Sequence, residues 1–171
     1  MRRPSAPLYD EAEPIRVDFA PDDVSLFWVE NVAIMVWHRP VTAPVLEALH
    51  ALAAPRRAQY PSGMSFVHLG QVQMSMMDSA TRDVFVRVLR ELNTYMAATA
   101  VVAKASGFWA STVRSVVTGI LVLSRVSHET RFHEHAEELL DWLPAKHEQI
   151  TGIKLDNEQL RRVLLKAEAS L

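Results

Sequence analysis

The chain has 171 residues, of which 49% are hydrophobic and 22% charged, and this composition indicates a globular domain with one core. Its net charge of -2 provides no broad positive field for a phosphate backbone, so no nucleic acid partner is expected. It contains no cysteine, which excludes disulfides, thiolate nucleophiles and cysteine-ligated metal sites.

The N-terminal segment MRRPSAPLYDEAEP predicts a flexible arm over residues 1–14, because it is rich in proline and acids and has no periodicity. It has no apolar segment of the kind found in a signal peptide. The most apolar run, FWASTVRSVVTGILVL, is shorter than the roughly 20 residues of a membrane span and contains Arg114. We therefore expect a cytoplasmic protein with no transmembrane segment.

The first ordered elements are predicted to be strands. Alternation of apolar and polar residues over Ile15 to Phe19 predicts a short edge strand. The β-rich segments Val24 to Val29 and Val32 to His38 flank Glu30 and Asn31, which is the pattern of a hairpin with a tight turn.

After the hairpin, helical and strand patterns alternate. The predicted helices run from Thr42 to Pro55 or Ala58, from a cap at Asp78 or Ser79 to near Asn93, from Phe108 to Arg125, from Ala136 to Leu143 and from Asn157 to Ala169. The predicted strands between them cover residues 64–70, Tyr95 to Val102 and Thr130 to His133. This order predicts an α/β fold with a mixed, mostly parallel four- to five-stranded sheet. A β-hairpin opens the sheet, crossover helices connect its strands, and an extra C-terminal helix follows.

Residues 24–143 resemble the STAS family, the sulfate-transporter and anti-sigma-factor antagonist domain, in its divergent cytoplasmic branch. The resemblance rests on the LFWVENVAIMVWHRPVT hairpin and cap, the RSVVTG segment at 114–119 and the RFHEHAEELLDWL segment that closes the domain. It implies a STAS-like domain over 15–147, with a C-terminal helical extension over 148–171. STAS domains are usually not enzymes, and they bind protein partners, nucleotides or lipids.

The resemblance also implies a candidate phosphorylation site. Many STAS domains are switched by phosphorylation of a serine in an Asp-Ser-Ser-Gly or Asp-Ser-Thr-Gly motif at a helix N-terminus. The segment here that is most similar is Asp78-Ser79-Ala80-Thr81, which departs from the motif at its third and fourth positions. Ser79 is therefore a candidate site for phosphate, and the alternative is that Asp78 or Ser79 only caps the helix.

No enzyme activity and no cofactor are expected. The sequence contains no G-x-x-x-x-G-K-[ST] or G-x-G-x-x-G loop for nucleotides and no G-x-S-x-G motif to identify a nucleophilic serine. The stretch SHETRFHEHAEELLDWL contains His128, His133 and His135, which are the strongest candidate metal ligands. We expect these three side chains to diverge, because the chain passes from strand to helix at Glu134. A metal-dependent enzyme built on them is the third functional hypothesis.

Two apolar clusters are candidates for an interface or a ligand pocket. Met74, Met76 and Met77 lie in a predicted loop, where flexible thioethers suit an adaptable contact, although core filling is the alternative. Phe108 and Trp109 follow a glycine at the end of a predicted parallel strand, where open α/β sheets bind ligands. A small apolar or lipid-like ligand bound there is the second hypothesis.

The first functional hypothesis is a non-enzymatic regulatory or scaffolding protein that acts by protein–protein binding. The third crossover helix has a wide apolar face, made of Trp109, Val113, Val116, Val117, Ile120 and Leu121. This face could receive a protein partner, and the C-terminal helix could pair with a second chain, so a homodimer is also predicted.

Overall fold

A computed structural model of the chain describes residues 15–16, 22–70, 77–103 and 108–171, with 15–16 and 108–113 described by their backbone. Within these residues the sheet has six strands in chain order: β1 (Ile15–Arg16), β2 (Val24–Val29), β3 (Val32–Trp37), β4 (Met64–Gly70), β5 (Met96–Val102) and β6 (Glu129–His133). β2 pairs antiparallel with both β1 and β3, and the pairs from β3 to β6 are parallel. The predicted α/β class is therefore confirmed, with five longer strands and a two-residue strand at one edge.

The helices are α1 (Ala43–Gln59), α2 (Ser79–Leu92), α3 (Phe108–Leu123), a 3-10 helix (Ala136–Asp141), α4 (Leu143–Thr151) and α5 (Asn157–Ala169). The prediction of one helix from Ala136 to Leu143 is wrong, because the chain forms the 3-10 helix and then starts α4. Pro144 explains the break. Inside a continuous helix its ring would clash with the carbonyl of Leu140, whereas the first turn of a new helix accepts proline.

The three crossover helices cover one face of the sheet, which we call the first face. Right-handed crossovers between strands that follow one another in the sheet place α1, α2 and α3 on the same side. The core of this face contains Leu26, Trp28, Met35 and Phe66 from the sheet and Val45, Leu89 and Ile120 from the helices. Alternate residues of the same strands point to the other side of the sheet.

The second face of the sheet is covered by the C-terminal part of the chain. Its core contains Phe27, Ile34, Val67 and Ala100 from the sheet and Leu139, Leu143 and Leu160 from the 3-10 helix, α4 and α5. The apolar side of α5, formed by Leu160, Val163, Leu164 and Ala167, is buried there with at most 2% exposure. These side chains of α5 therefore pack within the chain itself. None of the helices in the described ranges is long and apolar enough to cross a membrane.

Candidate functional site

Of the predicted pocket residues, Met77 is the one whose side chain lies in the part of the chain that the structure describes. Met77 is 8% exposed and packs in the first-face core. For this methionine, the burial agrees with the alternative that it fills the core. Met74 and Met76 lie outside the described residues. Phe108 and Trp109 are the first two residues of α3, and their side chains also lie outside the description.

The candidate phosphorylation site, Ser79, is the first residue of α2 and is exposed to solvent. The helix cap is formed by the preceding residue, because Asp78 Oδ1 accepts the backbone N–H of Thr81 at 2.7 Å. Hydrogen bonds from the Thr81 backbone and side chain hold the pKa of Asp78 below its usual value. Asp78 thus caps the helix and Ser79 lies accessible beside it, while phosphorylation of Ser79 stays a prediction.

The three histidines of the SHETRFHEH stretch lie apart. His128 shares a hydrogen bond of 2.8 Å between its Nε2 and Thr99 Oγ1, on the first face. His133 lies on the second face, with its Nδ1 3.3 Å from Glu138 Oε2. His135 is exposed at the start of the 3-10 helix. Among the described residues, no three His, Cys, Asp or Glu side chains are placed to hold a metal ion.

Two small adjoining cavities lie between the first face and its helices. Their volumes are about 40 and 50 Å³, and their shared walls are Trp37, His68, Phe85, Leu89 and Met96. A single water needs roughly 10–15 Å³, and an engineered cavity of about 150 Å³ binds benzene. Each cavity therefore suits a few waters or a very small molecule, and a lipid-like ligand would require the helices to move away from the sheet.

His68 supplies one polar group to both cavities. Trp37 Nε1–H donates to His68 Nδ1 at 3.3 Å, and the two rings are stacked at 5° with centroids 6.3 Å apart. Burial lowers the pKa of His68 to about 4, so its imidazole is neutral at pH 7. Because Nδ1 accepts, the hydrogen of the neutral ring is on Nε2, and His68 is a neutral donor.

Thr99 and Thr130 bring two hydroxyls to the first of these cavities. Thr130 Oγ1 is buried and has no hydrogen-bond partner among the residues that the structure describes. Burial also lowers the pKa of the neighbouring His128 to about 4. A base with so low a pKa accepts protons poorly at pH 7, so these groups suit hydrogen bonding to a neutral molecule better than acid–base catalysis.

A surface groove lies between α2 and the end of α3, and we call it the α2–α3 groove. It has a volume of about 440 Å³ and is lined by Arg82, Asp83, Val86, Arg87, Arg90, Glu91 and Leu123. Leu123 is 55% exposed, and its neighbour Val122 is 71% exposed. Arg90 Nη2 donates to the carbonyl of Leu123 at 2.8 Å, which fixes the end of α3 against α2. One exposed aliphatic side chain, Leu123, thus lies in the groove beside a charged helix surface, and the exposed Val122 precedes it in the chain.

A buried polar network links α4 to the hairpin. His147 Nε2 is 2.8 Å from Asn31 Oδ1, and His147 Nδ1 is 2.8 Å from Ser65 Oγ. Since Asn31 Nδ2 donates to the Gly63 carbonyl, its Oδ1 accepts from Nε2–H, and Nδ1 in turn accepts the Ser65 hydroxyl. All three side chains belong to residues with 0% exposure, and burial lowers the pKa of His147 to about 4.

This network has the order of a nucleophile, a base and an orienting group, but it lacks access. A hydroxyl and an imidazole without exposed surface cannot contact a substrate, so the network is structural. The network cannot be predicted from local sequence, because its members are 82 and 116 positions apart. The available signal was the spacing of Leu143, His147 and Thr151, which places the histidine on the core side of α4.

The chain matches no protein-family model, and no curated protein or solved structure is significantly similar to it. The STAS resemblance therefore rests on the sequence segments and the element order alone. A proposal for function has to come from the surfaces and cavities described above.

Proposed function

We propose that the chain is a non-enzymatic regulatory or scaffolding domain of the STAS-like type, which binds a protein partner at the α2–α3 groove. The observation that carries the proposal is the exposed Leu123 in a groove lined by charged residues of α2, with the exposed Val122 next to it in the chain. A cytoplasmic location is part of the proposal, and the absence of cysteine favours it.

The composition of the groove supports a protein partner. Protein interfaces combine a small apolar centre with a polar rim, and arginine is enriched in them. The groove has this arrangement, with Leu123 and Val86 beside three arginines and two carboxylates. Covering the exposed surface of Val122 and Leu123 is worth about 2 kcal/mol, or about thirtyfold in affinity.

The proposed contact is limited to the end of α3, because earlier residues of the helix pack inside the protein. Val117 and Ile120 are buried in the first-face core, and Val116 and Leu121 pack against it. The side chains of Trp109 and Val113, which the sequence analysis assigned to the same face, lie outside the description. The proposed contact therefore uses the last turn of α3 and not its long apolar face.

The position of Ser79 connects the groove to the predicted phosphorylation. Ser79, Arg82, Asp83, Val86 and Arg90 recur at spacings of three and four along α2, so they form one stripe of the helix surface. A phosphate on Ser79 would add a charge of about -1.5 to -2 at one end of this stripe, next to Arg82. Phosphorylation is thus proposed to regulate binding by changing the charge of the groove.

The test is site-specific photo-crosslinking in cells that produce the protein. A photoreactive residue at Val122 is expected to give an adduct with a specific protein, and the charge reversal Arg82→Glu is expected to abolish it. The matched control position is Ile150 on α4, which is 50% exposed and far from the groove in the sequence. If Val122 gives no adduct, or if both positions give the same adducts, the proposal is wrong.

A second candidate function is binding of a small neutral molecule in the two first-face cavities. The buried Thr130 hydroxyl that lacks a partner in the described residues favours it, because such a group gains by hydrogen bonding to a ligand. A ligand at one hundred times its dissociation constant would raise stability by about 2.7 kcal/mol. Thermal denaturation with a panel of small alcohols and phenols tests this. The stabilisation should disappear in Val101→Phe, which fills the first cavity.

A further inference from the structure

Within the described part of the chain, the sheet has one long edge without a partner strand, at β6. At one side it ends in the two-residue β1, and at the other it ends in β6, whose outer side pairs with no strand in the described part of the chain. A free edge of five residues presents unpaired backbone N–H and C=O groups, which can pair with a strand of another chain. The edge is therefore a candidate interaction surface that is distinct from the α2–α3 groove.

The pairing of β5 with β6 determines which backbone groups point outward. Ala103 N–H donates to the carbonyl of His133 at 3.1 Å, so the peptide groups of His133 face β5. Because these groups alternate along a strand, those of Glu129 and Arg131 also face β5. Thr130 and Phe132 therefore direct their N–H and C=O groups to the free edge.

The side chains of β6 are self-complementary in one antiparallel register. With a two-fold axis at Thr130, the outward-facing Thr130 residues of two copies form a hydrogen-bonded pair. The same axis places Glu129 opposite Arg131 of the second copy, and Arg131 opposite its Glu129. An axis at Arg131 would instead oppose two arginines, and an axis at Glu129 two glutamates, which is unfavourable.

The contacts of the two charged residues suit this arrangement. Glu129 and Arg131 already lie together on the second face, with Arg131 Nε 2.7 Å from Glu129 Oε1. The Arg131 guanidinium lies over the Trp142 ring, 4.7 Å from its centroid. Lys146 Nζ also lies 3.2 Å from Glu129 Oε2. The side chains of Glu129 and Arg131 are 36% and 49% exposed, so each keeps solvent-facing surface that a second copy can contact.

We propose that two copies of the chain associate through β6, as an antiparallel pair centred on Thr130 that joins their sheets into one. The interface uses outward backbone hydrogen bonds at Thr130 and Phe132 and reciprocal ion pairs between Glu129 and Arg131. This inference does not depend on the proposed function, because it uses a different edge of the molecule and a second copy as the partner.

The test is the mass of the protein in solution over a range of concentrations, by analytical ultracentrifugation. Wild type is expected to form a dimer of twice 19.3 kDa. Thr130→Pro removes an outward N–H that pairing with β5 does not use, so it is expected to keep the fold and lose the dimer. Circular dichroism and thermal unfolding check that each variant is folded.

Charge variants test the register itself. Glu129→Arg and Arg131→Glu each place like charges opposite each other, so each alone is expected to weaken dimerisation by at least about tenfold. Mixed in equal amounts, the two variants are expected to form a heterodimer, because one strand is then basic and the other acidic. A wild type that stays monomeric at all concentrations would overturn the inference. A dimer that survives Thr130→Pro, or variants that do not recover on mixing, would overturn it equally.

Discussion

The buried His147 gives a sharp prediction about stability and pH. Its imidazole has no exposed surface and contacts Asn31 and Ser65, neither of which carries a charge that could balance a proton. Burial lowers its pKa in the folded state from 6.5 to about 4. Between these two values the unfolded chain binds a proton that the folded chain does not. Stability is therefore lost as the pH falls from 6.5 towards 4.

The size of the effect follows from the two pKa values. They differ by about 2.5, and one pKa unit corresponds to about 1.36 kcal/mol. The largest possible loss of unfolding free energy from this residue is therefore about 3 kcal/mol. Between pH 7 and pH 5, proton binding to the unfolded state lowers the free energy of unfolding by about 2 kcal/mol through this one residue. His68 and His128, whose pKa values are also lowered to about 4, shift stability in the same direction.

The assay is urea denaturation of wild type and His147→Gln at pH 7 and pH 5. Glutamine does not titrate, but it can both accept and donate hydrogen bonds. The substitution itself should therefore lower the free energy of unfolding by nearly the same amount at both pH values. The loss of unfolding free energy from pH 7 to pH 5 should be about 2 kcal/mol smaller in the variant. An equal loss in the two proteins would refute the assignment of His147 as a buried neutral imidazole.

Four further substitutions are predicted to change the free energy of unfolding, measured by the same assay. Asp78→Ala removes the cap of α2 and is expected to cost about 1 kcal/mol, whereas Ser79→Glu adds a negative charge in the first turn and is expected to contribute about 0.3 to 1 kcal/mol. A stable Asp78→Ala variant would argue against the capping hydrogen bond. Gly70→Ala is expected to cost at least about 2 kcal/mol, because the φ of Gly70 is 134° and a Cβ there would lie 2.6 Å from the carbonyl oxygen of Trp37. The matched control Gly119→Ala has no atom within 4 Å of the new Cβ and should stabilise α3 by about 0.5 to 1 kcal/mol, so equal effects at the two glycines would contradict the structure.

Local signals predicted most of the elements of the fold. The hairpin around Glu30 and Asn31 and the cap at Asp78 depend on residues close in sequence, and the structure has both of them. The order of helices and strands then led to the mostly parallel sheet through general rules of connection. Pro144 is a local signal for the break before α4, whereas the apolar spacing around it favours one continuous helix.

Long-range packing could not be predicted in the same way. An apolar helix face shows that something covers it, but the sequence does not show whether the cover is the same chain or another. Val117 and Ile120 were therefore assigned to an interface, although both pack inside. In the same way, the predicted partner surface of α5 contacts the second face of its own sheet. The network of Asn31, Ser65 and His147 joins three distant segments, and no local pattern encodes their contact.

The most direct test of the central claim is the affinity of the crosslinked partner, once purified, for variants of the α2–α3 groove. Isothermal titration should show that the double variant Val122→Asp and Leu123→Asp binds at least about thirtyfold more weakly than wild type, because two exposed aliphatic side chains are replaced by charges. Ile150→Asp, at a similarly exposed aliphatic position on α4, should bind within about twofold of wild type. Equal affinities for wild type and the double variant would contradict the assignment of the groove as the binding surface.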